Sequence, residues 1–255
     1  MSRLAEMAAV VDEAARAASD IAQFTESGDL GIDDAYAVQA LSVERRLARG
    51  EKRVGMKMGL TSRAKMVQVG VDEVIWGRLT DAMRVEEGGG ISLARYVHPR
   101  VEPEIAFLLR APLAGAVSNA EALAAVEAVA PALEIIDSRY RDFKFALADV
   151  IADNSSSSGF VVGNWHRPDF DVGNRGIVLE VDGRPVQMGS TAAILGHPVR
   201  SLVAAARLVA RAGERLEPGS IVLAGGATAA HPLAAGASVR GVFEKLGGVS
   251  FKVEA

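Results

Sequence analysis

The hydrophobic pattern of this chain changes character near residue 54. Before that point, apolar residues recur at spacings of three and four in two separate runs, which is the pattern of amphipathic helices. After it, short apolar runs are separated by glycines such as Gly55 and Gly59, as in strands joined by turns. We therefore predict an α+β fold, in which a helical N-terminal region at 1–70 is followed by a β-rich domain at 71–255.

Local signals place several elements within this organisation. The second N-terminal helix has Asp33 as its predicted N-cap. A later helix begins with a capping box at Ser118 and is predicted to end at Pro131, and another begins at His197 and ends at Gly213. The predicted strands span 101–109, 132–136, 159–163, 176–182, 219–224, 236–243 and 248–253.

Composition argues against several classes of protein. The chain has 28 Lys and Arg against 32 Asp and Glu, a net charge of -4, and only 5% aromatic residues, so nucleic acid is not an expected partner. It has no cysteine, which excludes disulfides, zinc-thiolate sites and a thiol nucleophile and fits a cytoplasmic location. Because no apolar run approaches the length of a membrane span, we expect no membrane segment.

Carboxylates interrupt two of the predicted apolar strands. Glu102 and Glu104 are two residues apart, so in a strand both side chains project from the same face. A solvent-facing edge strand, which Pro103 also suits, is one explanation. The wholly apolar continuation argues instead that both faces are covered. Glu134 lies in a similar apolar run, where burial without a partner is costly. If the three carboxylates converge, they form the hard-oxygen ligand set that Mg²⁺ or Mn²⁺ prefers.

A lysine occupies an equally apolar, glycine-bounded stretch. Lys57 stands between Met56 and Met58. One interpretation is a lysine whose stem is buried while its ammonium group reaches water. The other is a partly desolvated lysine that acts as an electrostatic partner or proton donor near a metal-bound anion.

Five motifs follow one another along the chain. They are Gly55-Met56-Lys57-Met58-Gly59-Leu60-Thr61-Ser62, Glu102-Pro103-Glu104-Ile105-Ala106, Pro131-Ala132-Leu133-Glu134 with Asp137-Ser138-Arg139, Ala152-Asp153-Asn154, and Leu195-Gly196-His197-Pro198. In this order and spacing they resemble the hydratase and decarboxylase branch of the fumarylacetoacetate hydrolase superfamily, over nearly the whole chain. The resemblance implies a mixed, curled β-structure of the fumarylacetoacetase C-terminal-like kind, with a helical N-terminal part.

The resemblance also implies a metal site and its surroundings. It implies Mg²⁺ as the cofactor, with Mn²⁺ possible, and the family's metal ligands match Glu102, Glu104 and Glu134. The active-site lysine matches Lys57, and its acidic partner most nearly matches Asp81. The implied substrate contacts are Leu60, Thr61, Ser156 and Arg139.

The implied activity is that of a lyase acting on a small 2-oxo acid in meta-cleavage degradation of aromatic compounds. Two reactions are open: decarboxylation of 4-oxalocrotonate (2-oxohex-3-enedioate) to 2-hydroxypenta-2,4-dienoate, and hydration of that dienoate to 4-hydroxy-2-oxopentanoate. Tyr140 and Phe143 resemble the decarboxylases, whereas Leu79–Met83 is similar to the hydratases. We favour decarboxylation, with hydration as the alternative and a noncatalytic 2-oxo acid binding protein as a third hypothesis. The resemblance further implies a homo-oligomer and a possible complex with a partner hydratase.

Overall fold

The computed structural model describes residues 2–28, 30–62, 66–67 and 73–254, and it confirms the α+β fold. The helices are α1 (Arg3–Ala17), α2 (Ile32–Ala48), α3 (Asn119–Ala124), α4 (Leu147–Ala152) and α5 (Pro198–Arg211). The strands are β1 (Arg53–Gly59), β2 (Ile75–Thr80), β3 (Arg84–Val85), β4 (Gly90–Ser92), β5 (Arg100–Leu109), β6 (Val126–Ile136), β7 (Ser157–Val162), β8 (Gly176–Val181), β9 (Arg184–Ser190), β10 (Ile221–Leu223), β11 (His231–Pro232), β12 (Ser238–Phe243) and β13 (Gly247–Glu254). The predicted domain boundary at residue 70 lies outside the described residues, so that division stays a prediction.

The strands form two mixed sheets. The larger has eight strands in the order β2-β1-β10-β5-β6-β7-β3, with β11 paired to β5. The smaller has five strands in the order β4-β13-β12-β8-β9. Most neighbours are antiparallel, but β1 runs parallel to β10, β3 to β7 and β13 to β4. The central strands β5 and β6 are buried along nearly their whole length, which explains why their apolar runs are almost continuous.

The helices α1 and α2 pack together beside the larger sheet and are joined by an ion cluster around the buried carboxylate of Asp12. Asp12 of α1 receives hydrogen bonds from Arg45 and Arg49 of α2 at 2.5 to 2.8 Å. The predicted N-cap of α2 is wrong, because Gly31 occupies that position in extended conformation. Asp33 lies in the first turn instead, where its negative charge interacts favourably with the positive end of the helix dipole.

All seven predicted strands are present, but β6 begins six residues earlier than the sequence pattern indicated. The capping box at Ser118 and Glu121 is confirmed, yet the helix it starts ends at Ala124 rather than at Pro131. The following alanine-rich residues pair with β5 over ten positions, so tertiary pairing overrides their helical propensity. Along β6, the pairing with β7 begins at Ala132, one residue after Pro131. The N–H that proline lacks is therefore not needed for a bond of that pairing.

The helix α5 lies in a long apolar segment of the chain. Thr191–Arg211 is long and apolar enough to cross a membrane by composition, with a mean hydropathy of 1.2, but 56% of that window is buried inside the protein. Leu202, Ala205 and Val209 are fully buried against the sheet. The regular helix has 14 residues, about 21 Å of rise, which is shorter than a bilayer core. We interpret α5 as a core helix.

The carboxylate of Asp149 on α4 anchors the chain between α1 and α2. It is fully buried and accepts hydrogen bonds from the backbone N–H groups of Phe24 and Thr25 at 2.9 and 3.2 Å. It also accepts the Thr25 hydroxyl at 2.5 Å and the N–H of Ala146 at 3.1 Å. These bonds fix the N-terminal segment against the helix that precedes β7.

We expect Asp149→Ala to lower the free energy of unfolding by about 1–3 kcal/mol, because the substitution leaves partly buried N–H donors without an acceptor. Urea denaturation followed by circular dichroism measures this effect. Asp34→Ala, on the exposed first turn of α2, is the matched control and should change stability by less than about 0.5 kcal/mol. Equal midpoints for the two variants would contradict the anchoring role.

Candidate metal centre

Three glutamates converge where β5 and β6 pair. Glu102 and Glu134 lie directly opposite each other in the antiparallel register, and Glu104 follows two residues later on the same face of β5. One carboxylate oxygen from each lies within 4.8 Å of the other two. Glu104 and Glu134 are 0% exposed and Glu102 is 7% exposed, so the explanation by a solvent-facing edge strand is wrong.

The hydrogen bonding of this cluster is incomplete. Within the described part of the chain, Oε1 of Glu104 and Oε1 of Glu134 are buried and have no hydrogen-bond partner. The other oxygen of Glu104 accepts the backbone N–H of Gly225 at 2.7 Å. Since a buried carboxylate is costly without a partner, oxygen atoms left in this state fit a divalent cation of the hard, oxygen-preferring class.

Lys57 enters the cluster from β1. Its Nζ lies 3.1 Å from Oε2 of Glu134 and donates a hydrogen bond of 2.9 Å to the carbonyl of Ser155. The residue is 4% exposed, so its ammonium group does not reach into water, and that interpretation of the sequence is wrong. With every group ionised, three carboxylates against one ammonium group leave an excess of two negative charges.

The charges in this cluster shift one another's protonation. Burial, and then the charge of Glu134, raises the pKa of Glu104 well above its usual value. Burial also raises the pKa of Glu134, although Lys57 opposes the shift. Burial alone would lower the pKa of Lys57, but the three carboxylates outweigh it and the pKa lies above its usual value. Lys57 therefore carries a proton at neutral pH.

Two glycines that the sequence analysis did not single out form one wall of the site. They follow β10 directly. A Cβ atom on Gly226 would lie 2.2 Å from Oε2 of Glu102, and one on Gly225 would lie 2.0 Å from Oγ1 of Thr61. Gly225 also has a φ of +105°, which disfavours any side chain. The hydroxyl of Ser201 on α5 donates to the carbonyl of Ala224 at 2.7 Å and holds this loop in place. The signal in the sequence that could have identified these two residues is that Gly225-Gly226 directly follows the predicted strand at 219–224.

A left-handed turn forms another wall. Asn154, Ser155 and Ser156 are consecutive non-glycine residues with φ of 50, 53 and 59°, a conformation that costs about 1–2 kcal/mol per residue. The turn presents the carbonyl of Ser155 to Lys57. The hydroxyl of Ser156 is buried and has no partner among the described residues. Ser156 follows in the chain the residue whose carbonyl binds Lys57, and its role in substrate contact stays a prediction.

The predicted contacts on the segment after β1 differ in character. Thr61 is 2% exposed, and its side chain lies against Gly225, beside the N–H that binds Glu104. Leu60 has a φ of +56°, and its side chain packs on the apolar cluster around α2 and α4. Only the main chain of Leu60 is therefore placed to face the site.

Arg139 does not join the cluster. Its Nε donates to Oδ1 of Asp153 at 2.5 Å, its Nη2 to the carbonyl of the same residue at 2.9 Å, and its Nη1 to the hydroxyl of Ser158 at 2.5 Å. The guanidinium group is thus occupied by protein partners. The predicted substrate contact is not supported by this geometry, because Arg139 instead fixes Asp153 at the start of the left-handed turn.

The structure places Asp81, the predicted acidic partner of Lys57, away from the carboxylate cluster. This residue is exposed just beyond the end of β2, and its carboxylate accepts the N–H groups of Lys52 and Ala82 at 2.8 and 2.9 Å. Because β1 and β2 are antiparallel, Asp81 lies beside Lys52, which is five residues and about 16 Å along the strand from Lys57. Asp81 caps a turn and does not reach the cluster.

A cavity of about 710 Å³ lies elsewhere, between the N-terminal helices and the β3–β4 segment. None of the three glutamates nor Lys57 lines it. Its arginines from α2 are already paired, Arg46 with Glu51 and Arg49 with Asp12. The carboxylate cluster and this cavity are therefore separate features of the structure.

The chain is similar to known proteins over nearly its whole length. Residues 56–254 match the family described as fumarylacetoacetate (FAA) hydrolase, C-terminal. A 4-oxalocrotonate decarboxylase from Pseudomonas sp. is 59% identical over 249 residues, covering 98% of this chain and 97% of the relative. A 2-keto-4-pentenoate hydratase from Paraburkholderia xenovorans (strain LB400) is 39% identical and covers 77% of this chain and 74% of its own.

The fold of this chain is also similar to that of a solved 4-oxalocrotonate decarboxylase. The 4-oxalocrotonate decarboxylase from Pseudomonas putida G7, complexed with magnesium and adipate, superposes with a TM-score of 0.96 at 38% identity, covering 99% of this chain and 98% of that one. The agreement extends over both sheets and the N-terminal helices. By the family match, the sequence identity and the shared fold, this chain belongs to the fumarylacetoacetate hydrolase family.

Proposed function

We propose that the chain is a carboxy-lyase that converts 4-oxalocrotonate to 2-hydroxypenta-2,4-dienoate and carbon dioxide. The observation that carries the proposal is the buried cluster of Glu102, Glu104, Glu134 and Lys57. The 59% identity to a 4-oxalocrotonate decarboxylase over nearly the full length of both chains supports this substrate.

Glu102, Glu104 and Glu134 would hold Mg²⁺, with Mn²⁺ as an alternative, and the orphaned buried oxygens of Glu104 and Glu134 support this assignment. The magnesium bound to the related decarboxylase of Pseudomonas putida G7 also supports it. When bound, the cation would supply Lewis-acid stabilisation of negative charge on the 2-oxo group.

In the reaction, the bond between C5 and C6 of the substrate breaks and C6 leaves as carbon dioxide. The electron pair moves through C4 and C3 to the oxygen on C2, which accepts a proton. Lys57 is the proposed donor, because the surrounding carboxylates keep it protonated and its ammonium group is held between Glu134 and Ser155. Solvent then returns the proton to Lys57.

The remaining groups would orient the substrate. The hydroxyl of Ser156 can donate a hydrogen bond to a substrate carboxylate, since no described residue uses it. The main chain around Leu60 and Thr61 can hold the other end of the molecule. Burial of the cluster keeps competing water away from the developing charge, which strengthens each electrostatic contact.

Hydration of 2-hydroxypenta-2,4-dienoate is the second candidate, and the 39% identity to a hydratase supports it. Association into a homo-oligomer, a complex with a partner hydratase and a cytoplasmic location are further proposals that rest on the family resemblance. The decarboxylase and hydratase relatives have in common that they act on a small substrate.

We expect purified, metal-stripped protein to release carbon dioxide from 2-oxohex-3-enedioate only after Mg²⁺ is added. Carbon dioxide and the ultraviolet absorbance of the conjugated substrate are followed together. Hydration of 2-hydroxypenta-2,4-dienoate without carbon dioxide release would establish the hydratase instead. Inactivity with both compounds would overturn both proposals.

Glu104→Gln should weaken Mn²⁺ binding by about 100-fold or more, because an amide replaces a charged ligand. The metal-free variant should melt at the same temperature as the metal-free wild type or higher, since one buried like charge is removed and each unit of raised pKa corresponds to about 1.4 kcal/mol. Calorimetric titration and thermal unfolding in chelator measure the two effects. Glu86→Gln, on an exposed residue, is the control, and wild-type affinity in Glu104→Gln would contradict the ligand assignment.

Asp81→Asn should change kcat by less than about threefold, because the carboxylate only caps a turn at the surface and a neutral amide oxygen can accept the same N–H groups. Lys57→Gln, in contrast, should lower kcat by about 100-fold or more. Steady-state decarboxylation rates at saturating Mg²⁺ compare the two. A large loss of kcat in Asp81→Asn would show that the residue reaches the substrate after all.

A further inference from the structure

The turn at 154–156 contributes two groups to the site. The carbonyl of Ser155 receives the ammonium group of Lys57, and the hydroxyl of Ser156 is buried and unpaired among the described residues. Both groups are in place only because three successive residues hold a left-handed conformation. Since L-amino acids disfavour this conformation, other contacts must hold the turn in it.

The side chain of Asn154 supplies two of those contacts. Its Oδ1 accepts the backbone N–H of Arg78 at 2.7 Å, and its Nδ2 donates to the carbonyl of Arg78 at 2.9 Å. β2 is an edge strand of the larger sheet, so the amide takes the place of a neighbouring strand. The residue is 6% exposed. The pairing needs a donor and an acceptor on one side chain, which an aspartate carboxylate cannot provide.

Neighbouring residues fit this docking of the turn on β2. A Cβ atom on Gly77 would lie 2.4 Å from the carbonyl oxygen of Asn154, so the close approach requires glycine there. The hydroxyl of Ser155 donates to the carbonyl of Trp76 at 2.8 Å. Lys57 lies opposite Gly77 in the register of β1 and β2, so the turn is clamped to β2 beside the residue that faces the lysine.

We propose that Asn154 is a positioning residue for Lys57. Its amide clamps the left-handed turn on β2 and thereby sets the position of the Ser155 carbonyl that orients the lysine. The proposal rests on the role of Lys57 in the proposed function. Loss of the clamp lets the turn relax toward ordinary backbone conformations, so that Lys57 keeps Glu134 as a partner but loses the carbonyl that fixes its direction. The Glu102–Glu104–Glu134 ligand set, on β5 and β6, stays as it is.

Asn154→Asp is the test variant, because it keeps the size of the side chain and removes the donor. We expect kcat to fall by about 10- to 100-fold, the scale for small misplacement of a reacting group, and KM to rise because Ser156 moves with the turn, while the dissociation constant of Mn²⁺ changes by less than about threefold. Asn174→Asp is the matched control, since Asn174 is also left-handed, with a φ of 50°, but lies exposed far along the chain. Asn154→Gly removes the clamp while relieving the left-handed strain, and it should lose kcat to the same extent.

Unchanged kcat in Asn154→Asp would overturn the proposal, and so would parallel losses of kcat, metal affinity and folded protein, which indicate a merely structural role. A crystal structure of Asn154→Asp provides a readout that needs no activity. We expect Nζ of Lys57 to lie beyond hydrogen-bond distance of the Ser155 carbonyl, and a retained bond would overturn the clamp even if the wild type proved inactive. Inactive wild type with a displaced lysine would count against the proposed function alone.

Discussion

Three carboxylates share one buried space with a single ammonium group, and much of the surrounding structure serves to keep them there. Like charges in a water-excluded site repel strongly, and Lys57 balances only one of the three. The pair of central strands resists that repulsion. Because Glu102 and Glu134 are register partners and Glu104 is two residues further on the same face, the backbone pairing of β5 and β6 itself holds the oxygens together. A cation at this point would remove the remaining imbalance.

The segments around the central strands make specific contacts with the residues of the cluster. Gly225 and Gly226 bring main chain where no side chain could fit, and one of their N–H groups binds Glu104. On the opposite side, a turn held in a disfavoured conformation reaches Lys57 through a carbonyl. The glycine wall is held by Ser201 of α5, which donates to the carbonyl of Ala224. The turn is held by Arg139, which bonds to Asp153, and by the side chain of its own Asn154, which bonds to β2. The site is thus rigid because each of its walls is bonded to the sheet or to a core helix.

The family to which the chain belongs includes relatives with decarboxylase and with hydratase names. The arrangement described here explains how one framework can serve both. In both proposed reactions, the negative charge on the 2-oxo acid would be stabilised by the cation that Glu102, Glu104 and Glu134 would hold and by Lys57. The three carboxylates lie on the buried central strands β5 and β6, and Lys57 lies on β1.

The sequence by itself determined the strands of the core and the residue types of the site. Alternation and glycine punctuation predicted seven strands correctly, and an isolated glutamate or lysine in an apolar run indicated a buried charge whose partner had to be near. It misjudged Pro131 as a helix end, because strand pairing with a distant segment decided the state of the alanine-rich run. From the sequence alone, Asp81 and Arg139 could not be distinguished from the residues that form the cluster. Only the tertiary structure separated them, since the antiparallel register carries Asp81 away from Lys57 and a buried carboxylate at Asp153 occupies Arg139. The convergence of charges and the close approach of Gly77 to the main chain of Asn154 and of Gly226 to the side chain of Glu102 depend on contacts between residues far apart in the chain, and local patterns hold no information about those distances.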